Sequence, residues 1–309
     1  MIDTCDHIHF PKEALHLLTP HEIKAYLERF GMPEVEEPSL DYLMRLHRAH
    51  VERFSWQTVD IVAGRPASID PKQSVQLLLT GRSGYCFHLN GAFGTLLRSL
   101  GYQVDWHRAG VQPNGESPRV NGFHLAQTVT IGAGEDGQER WIVDVGLGDM
   151  PYEPLPLVHG SYVQGAYTYG VTSSAVAPGG WRLEHDALAS FVGVDVAPEI
   201  VDDITPFLSK HEHYSTSPES PWMNTFLLRH RHATGGNELR GCIWSSREGK
   251  SIRKTELLDK QQWLDVMGDV FGEKLVVYDG LERDALWSKV LRLHEDWKRA
   301  KEAADKAAP

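Results

Sequence analysis

The position of one cysteine, Cys86, suits a catalytic nucleophile. The glycine-bearing turn 80–85 precedes it, and apolar residues then recur at helical spacing from Phe93 to Leu100. This pattern predicts a helix that begins at Cys86 and ends before Gly101. Unpaired amides and the dipole at a helix start favour a thiolate, which is the form that attacks acyl groups. A small buried core cysteine is the alternative interpretation.

Acyl transfer by a thiol also needs a base and a group that orients the base. His124 is the candidate base, because it lies in a predicted strand just after a loop rich in proline and glycine. Asp144 is the candidate carboxylate, because it interrupts the apolar run 142–145. A carboxylate in such a run is costly unless it is paired, and His124 would supply the partner. An aspartate that caps the following glycine turn is the alternative.

Histidine pairs elsewhere raise the question of a metal site. The chain holds 16 histidines, so any single pair is weak evidence. No pair belongs to a full ligand set with cysteines nearby in the sequence, and we therefore expect no metal. The pairs with suitable spacing are His7 and His9, His47 and His50, His211 and His213, and His230 and His232.

Composition limits the class of protein. The 309 residues are 41% hydrophobic and 24% charged, as in a soluble globular protein, and no apolar run approaches the roughly 20 residues of a membrane span. The net charge of −11 argues against a nucleic-acid partner. Cys5, Cys86 and Cys242 do not form a disulfide framework, and the first residues do not read as a signal peptide. We expect a cytoplasmic protein without a membrane partner.

The predicted elements change in kind near residue 101. Helices are expected before it, and short strands separated by turns after it suggest a small antiparallel sheet or barrel. Helices are predicted from Pro20, over 39–54, after Asp70 and from Cys86. The later predictions are strands at 102–107, 123–131, 141–145, 162–171 and 181–184, a hairpin of 224–232 with 239–244, and helices at 261–268 and 281–299.

These motifs resemble those of the arylamine N-acetyltransferase family. The family signature Arg-Gly-Gly-Tyr-Cys-Phe-Glu-x-Asn corresponds to residues 82–90, which read Arg-Ser-Gly-Tyr-Cys-Phe-His-Leu-Asn. The family motif Val-Asp-Val-Gly-Phe-Gly corresponds to residues 143–148. The family histidine begins a strand after a loop, as His124 does. Weaker similarities follow in family order at 46–50, 64–68, 215–220 and 270–272.

The resemblance implies an activity and a fold. It implies a Cys86–His124–Asp144 triad and ping-pong acyl transfer, in which acetyl-coenzyme A or another acyl-coenzyme A loads the cysteine and an amine then takes the acyl group. No permanently bound cofactor is expected. The implied α+β fold has three parts around a cysteine-protease-like core. They are a helical domain at 1–100, an antiparallel β-barrel at 101–200 and an α/β lid domain at 201–309.

The resemblance also implies substrate contacts. Phe123 and Leu147 are expected to contact the amine, and Ser217 and Ser220 to contact coenzyme A.

Departures from the family pattern concern the residues around the triad. His88 and Gln57 stand where the family has glutamates, so Arg82 lacks two usual carboxylate partners. Leu147 replaces a phenylalanine of the aromatic acceptor pocket, and Ser83 replaces a glycine. A natural-product amide synthase, which takes its acyl chain from an acyl carrier protein, is therefore the main alternative. A hydrolase and a catalytically silent binding protein are further alternatives.

Overall fold

The computed structural model describes residues 17–132, 137–149, 151–187 and 189–307. Three features of the sequence analysis lie outside the described residues. They are the first residues with Cys5, the pair His7 and His9, and the middle of the predicted turn at 132–138. In the described ranges, no helix has the length and apolar character needed to cross a membrane.

The first hundred residues form helices, as their apolar spacing predicts. The first helix starts with a capping box, in which Thr19 and Glu22 each bond the other's backbone amide, and Pro20 occupies the first helical position. Asp70 caps the fourth helix, which also starts with a proline. The elements are α1 (Pro20–Arg29), α2 (Leu40–Arg53), β1 (Trp56–Gln57), α3 (Val59–Val62), α4 (Pro71–Leu79) and α5 (Cys86–Ser99).

An eight-stranded antiparallel, barrel-type sheet follows. Its strands are β2 (Gln103–Pro113), β3 (His124–Ile131), β4 (Glu139–Ile142), β5 (Leu155–Pro156), β6 (Gly160–Gln164), β7 (Tyr167–Ser173), β8 (Trp181–Glu184) and β9 (Phe191–Val201). The strand order is β5-β4-β3-β2-β9-β8-β7-β6.

The structure differs from the sequence analysis at three points of this sheet. The predicted strand 162–171 is two strands, because Gly165 turns the chain with a φ of 62°. The long β9 was not predicted. Strand β4 ends at Ile142, so Asp144 lies beyond the strand rather than inside it.

The last third combines a second sheet with helices. It contains α6 (Thr205–Thr216), a 3₁₀ turn (Pro221–Met223), β10 (Leu227–His232), β11 (Gly235–Arg240), β12 (Ile243–Glu248), β13 (Ser251–Glu256), α7 (Lys260–Asp269) and α8 (Gly280–Ala307). The sheet order is β1-β10-β11-β12-β13, so a strand from the helical part forms its edge. The division at residues 100 and 200 stays a prediction.

Two hydrophobic cores hold these parts together. The larger joins α1, α2, α4 and α5 to the inner face of the barrel-type sheet, and Phe87 and Phe93 of α5 are fully buried in it. The smaller surrounds Trp263, where β10 and β11 pack on α7 and α8. Because α5 packs between the helices and β3, its first residue lies beside β3.

Candidate functional site

Cys86 is the first residue of α5 and carries a buried free thiol. No side chain caps this helix, so its first amides keep their unpaired hydrogens. The Cys86 Sγ lies 3.8 Å from the carbonyl oxygen of Phe123 and is part of a side chain that is 5% exposed. The thiol therefore sits at an uncapped helix start, as predicted, and next to the strand that carries His124.

His124 lies between the thiol and a carboxylate. Its Nε2 is 2.7 Å from Oδ2 of Asp144, which leaves Nδ1 for the Cys86 side chain. Burial disfavours the imidazolium, but the Asp144 carboxylate and then Cys86 outweigh burial and raise the pKa of His124 to about 10. The protonated ring is thus favoured at neutral pH.

Asp144 is held ionised by the groups around it. Its Oδ1 accepts hydrogen bonds from the Asn90 side-chain amide at 2.8 Å and from the Gly146 backbone amide at 2.9 Å. Burial by itself raises the pKa of Asp144, but His124, Asn90 and Gly146 together lower it below its usual value. An ionised Asp144 can only accept, so Nε2 of His124 carries the proton.

Asn90 ties the cysteine helix to both partners. It lies one turn after Cys86, and its Nδ2 donates to the carbonyl of Leu125 at 2.7 Å as well as to Asp144. Its Oδ1 accepts from the Val145 amide at 2.9 Å. The sequence analysis assigned no role to Asn90, although its place in the family signature was the available signal.

Gly146 permits this close approach. A Cβ at this position would lie 2.8 Å from the Cys86 Cα and 2.8 Å from the Asn90 side-chain nitrogen. Any side chain would therefore push the Asp144 segment away from α5.

Arg82 pairs with a carboxylate that is different from the two glutamates of the family motifs. Its Nη2 is 2.6 Å from Oδ2 of Asp60, and the Tyr278 hydroxyl donates to the other oxygen at 2.6 Å. Gln57 instead donates to the carbonyl of Ser83 at 2.7 Å. Asp60 in α3 thus replaces the missing glutamates as the partner of the signature arginine.

His88 fits as a neutral residue. It is buried, its Nε2 is 3.2 Å from the carbonyl oxygen of Ala67, and burial lowers its pKa to about 3. Gly84 makes room for it, because a Cβ there would lie 2.6 Å from the imidazole ring.

Replacing Arg82 with alanine is expected to lower the free energy of unfolding by about 3 kcal/mol, because it leaves a largely buried Asp60 without its cation. Urea unfolding measures the change. The double variant Arg82→Ala with Asp60→Asn should recover part of the loss, since no unpaired charge remains. Equal stability of Arg82→Ala and the unchanged protein would contradict this assignment.

The four residues that were predicted to contact substrates lie in different surroundings. The Phe123 carbonyl faces the thiol, whereas Leu147 is 4% exposed and packs in the larger core. The Ser217 hydroxyl accepts from the Glu219 amide at the end of α6. The Ser220 hydroxyl is buried and donates to the carbonyl of Tyr214 at 2.8 Å. The roles of these four residues stay predictions.

Tyr214 of α6 is a residue of this site that the sequence analysis did not identify. Its ring centroid is 4.6 Å from that of Phe123, 5.9 Å from that of Tyr85 and 6.0 Å from that of Trp222. Burial, and then negative charge on Cys86, raise its pKa above the usual value. The Tyr214 ring therefore packs on the side chain of Phe123, whose carbonyl oxygen lies 3.8 Å from the sulfur. No helix was predicted at 205–216, where few residues are buried, so the sequence offered no signal for it.

Two histidines of the described pairs bond groups outside any metal-like cluster. His211 bonds the Tyr85 hydroxyl through Nδ1, and His230 bonds the carbonyl of Glu52. Within the described ranges, no three histidine, cysteine, aspartate or glutamate side chains lie close enough together to hold a metal ion.

Known proteins match this chain in both sequence and fold. Arylamine N-acetyltransferase / N-hydroxyarylamine O-acetyltransferase of Salmonella typhimurium is 32% identical over 130 residues, covering 41% of this chain and 43% of the relative. Proansamycin X synthase of Amycolatopsis mediterranei is 27% identical over 139 residues, covering 43% of this chain and 52% of the relative. The chain thus matches about half the length of these curated relatives.

The fold is shared with solved structures. Mycobacterium marinum arylamine N-acetyltransferase in complex with CoA superposes with a TM-score of 0.77 at 22% identity, covering 88% of this chain and 99% of that one. The expected three-part α+β fold is thereby confirmed. A family model described as N-acetyltransferase matches residues 39–278. The resemblance stated from the motifs is confirmed, and the chain belongs to this family of N-acetyltransferases.

Proposed function

We propose that this protein transfers an acetyl or other acyl group from acyl-coenzyme A to an amine of the arylamine type, through an acyl-cysteine intermediate. The observation that carries the proposal is the buried chain of contacts from Cys86 through His124 to Asp144. Sulfur, imidazole and carboxylate in that order form the arrangement that thiol-based acyl transfer requires.

Before the first half-reaction, Nδ1 of His124 already holds the proton of the Cys86 thiol, so that the site starts as a thiolate–imidazolium pair. The thiolate attacks the thioester carbonyl, and a carbon–sulfur bond forms while the carbonyl oxygen becomes an oxyanion. When the oxyanion collapses, the bond to the coenzyme A sulfur breaks. That sulfur leaves with the proton held by His124, so that acyl-cysteine and free coenzyme A result.

In the second half-reaction, an amine attacks the acyl-cysteine. His124 accepts the proton that the amine loses, and the carbon–sulfur bond to Cys86 breaks as the amide forms. The proton stays on His124 beside the freed Cys86 thiolate, which regenerates the starting ion pair. Asp144 holds the imidazole ring in one orientation and stabilises its positive charge in both halves.

The helix start stabilises the oxyanion. The Cys86 backbone amide has no partner within α5, and the positive end of the helix dipole points to the same place. Helix α6 shields the acyl-cysteine from water, because Tyr214 packs on the Phe123 ring and His211 bonds the hydroxyl of Tyr85, the residue before Cys86. A reducing, cytoplasmic setting would keep the thiol free.

The amide synthase interpretation stays the second candidate. The similarity to Proansamycin X synthase and the loss of the pocket phenylalanine at Leu147 favour it. It predicts slow use of acetyl-coenzyme A and faster loading by longer thioesters. A screen of acyl donors against amine acceptors separates the two candidates.

Mass spectrometry of the intact protein tests the proposal. After mixing with acetyl-coenzyme A, the protein should gain one acetyl group, and peptide mapping should place it on Cys86. Adding an aniline should discharge it and yield the acetylated amine. An unmodified Cys86 with every donor in the screen would defeat the proposal.

Replacing Tyr214 with alanine is expected to raise the KM for an aromatic amine by about tenfold, because the aromatic surface beside Phe123 is lost. Loading of Cys86 by acetyl-coenzyme A should change less. Tyr214→Phe is the matched control, since it keeps the ring. Steady-state kinetics with varied amine measures both variants. An unchanged KM in Tyr214→Ala would exclude this residue from the acceptor pocket.

A further inference from the structure

A narrow cleft lies behind the signature turn, and three arginines line it. Arg29 comes from the last turn of α1, Arg53 from the last turn of α2, and Arg82 from the turn itself. The remaining walls are residues 54, 55, 57, 81, 83 and 271–273. The cleft is separate from the contacts of Cys86 described above.

Two of these arginines lack a neutralising partner in the described part of the chain. Among the described residues, neither Arg29 nor Arg53 forms an ion pair, and Nε of Arg29 is buried without a hydrogen bond. Only Arg82 has a carboxylate, Asp60. Burial, and then the positive charge of Arg53, lower the pKa of Arg29. The cleft therefore concentrates positive charge in a chain whose net charge is −11.

Neither the helix C-termini nor the nearby carboxyl group of Glu273 accounts for this positive charge. A helix C-terminus favours one cation by only about 0.3–1 kcal/mol at an exposed site, and here two such cations converge. Glu273 is the carboxyl group in the cleft wall, but it is 5% exposed. Burial raises its pKa to about 7, against the hydrogen bond from the Leu275 amide. At neutral pH it is only partly ionised.

We propose that this arginine cleft binds a phosphate-type oxyanion. Guanidinium groups are suited to it, because their parallel N–H donors match two oxygens of a phosphate. Two glycines of positive φ border these guanidinium groups: a Cβ at Gly81 would lie 3.7 Å from Nη2 of Arg29, and one at Gly272 would lie 4.0 Å from Nη1 of Arg53. The ligand would join α1 and α2 to the turn that leads into Cys86. Its source is either free inorganic phosphate or a phosphate group of the acyl donor.

Thermal unfolding in inorganic phosphate tests the site, with chloride added to equal ionic strength. At a concentration about 20-fold above Kd, the unchanged protein should gain about 3 °C in Tm. Arg53→Gln, at an exposed position where folding should be intact, and the double variant Arg29→Gln/Arg53→Gln should lose most of this gain. The control Lys72→Gln/Lys250→Gln removes two exposed charges outside the cleft and should keep it.

Calorimetry with coenzyme A identifies the source. Binding at least tenfold weaker in the double arginine variant supports a phosphate group of the donor. Equal coenzyme A binding, together with a lost response to inorganic phosphate, supports a separate phosphate. An absent Tm gain in the unchanged protein would overturn the proposal. The same gain in the unchanged protein and the double arginine variant, or an equal loss in the lysine control, would do so too.

Discussion

Cys86→Ala is expected to lower acyl transfer by about 10⁴-fold or more, to the background of the assay. The acyl group would have no atom to join, while His124 and Asp144 would keep their hydrogen bond. The variant should therefore fold normally, still bind acyl-coenzyme A, and show no acetyl adduct by mass spectrometry. Steady-state kinetics with acetyl-coenzyme A and an aniline measures the loss.

Cys242 provides the matched control for this variant. It is fully buried in the smaller core, and burial raises the pKa of its thiol to about 12, so it remains protonated at neutral pH. Cys242→Ala should retain both the adduct and the activity. An acetyl adduct that still forms in Cys86→Ala would show that another residue is the nucleophile.

Asp144→Asn is expected to reduce kcat/KM by about 10³–10⁴-fold through the protonation of His124. An asparagine whose oxygen accepts from the Asn90 amide and from Gly146 presents its own amide to Nε2. The ring must then accept at Nε2 and carry its proton on Nδ1, where it can no longer take the proton of Cys86. Loss of the carboxylate also lowers the pKa of His124.

Iodoacetamide kinetics separates this effect from misfolding. Alkylation of Cys86 at neutral pH should slow in Asp144→Asn, because the imidazolium that stabilises a thiolate is depleted. Asn90→Ala is a useful comparison. It should weaken the positioning of Asp144 while leaving the correct tautomer of His124 in place, and so cost less activity. Unchanged alkylation and unchanged kcat/KM in Asp144→Asn would show that the carboxylate has no catalytic role.

The changes around Arg82 have a common physical consequence. The family glutamates at the positions of Gln57 and His88 are replaced by neutral groups, and a single carboxylate, Asp60, pairs the arginine instead. The charge of Arg82 is thus paired with one carboxylate rather than two. The turn can position Cys86 by this route without the residues that the motif led us to expect.

Local patterns were enough to predict much of the fold. Apolar spacing and caps marked α1, α2, α4 and α5 within one or two residues, because a helix start and its buried face are encoded within about a turn. The same reasoning missed α6 and β9. Few residues of α6 are buried, so its sequence has no strong apolar face, and its position depends on packing over Phe123 and Tyr85.

By itself, the sequence determined the nucleophile candidate, its place at a helix start, its two expected partners and the family. Only the tertiary structure decided that Asn90 links α5 to Asp144, that Asp60 pairs with Arg82, that Tyr214 packs on Phe123, and that Arg29 and Arg53 share one cleft. The reason is physical. A helix start depends on neighbours in the chain, whereas these contacts join residues from separate elements, whose meeting depends on how the whole core packs.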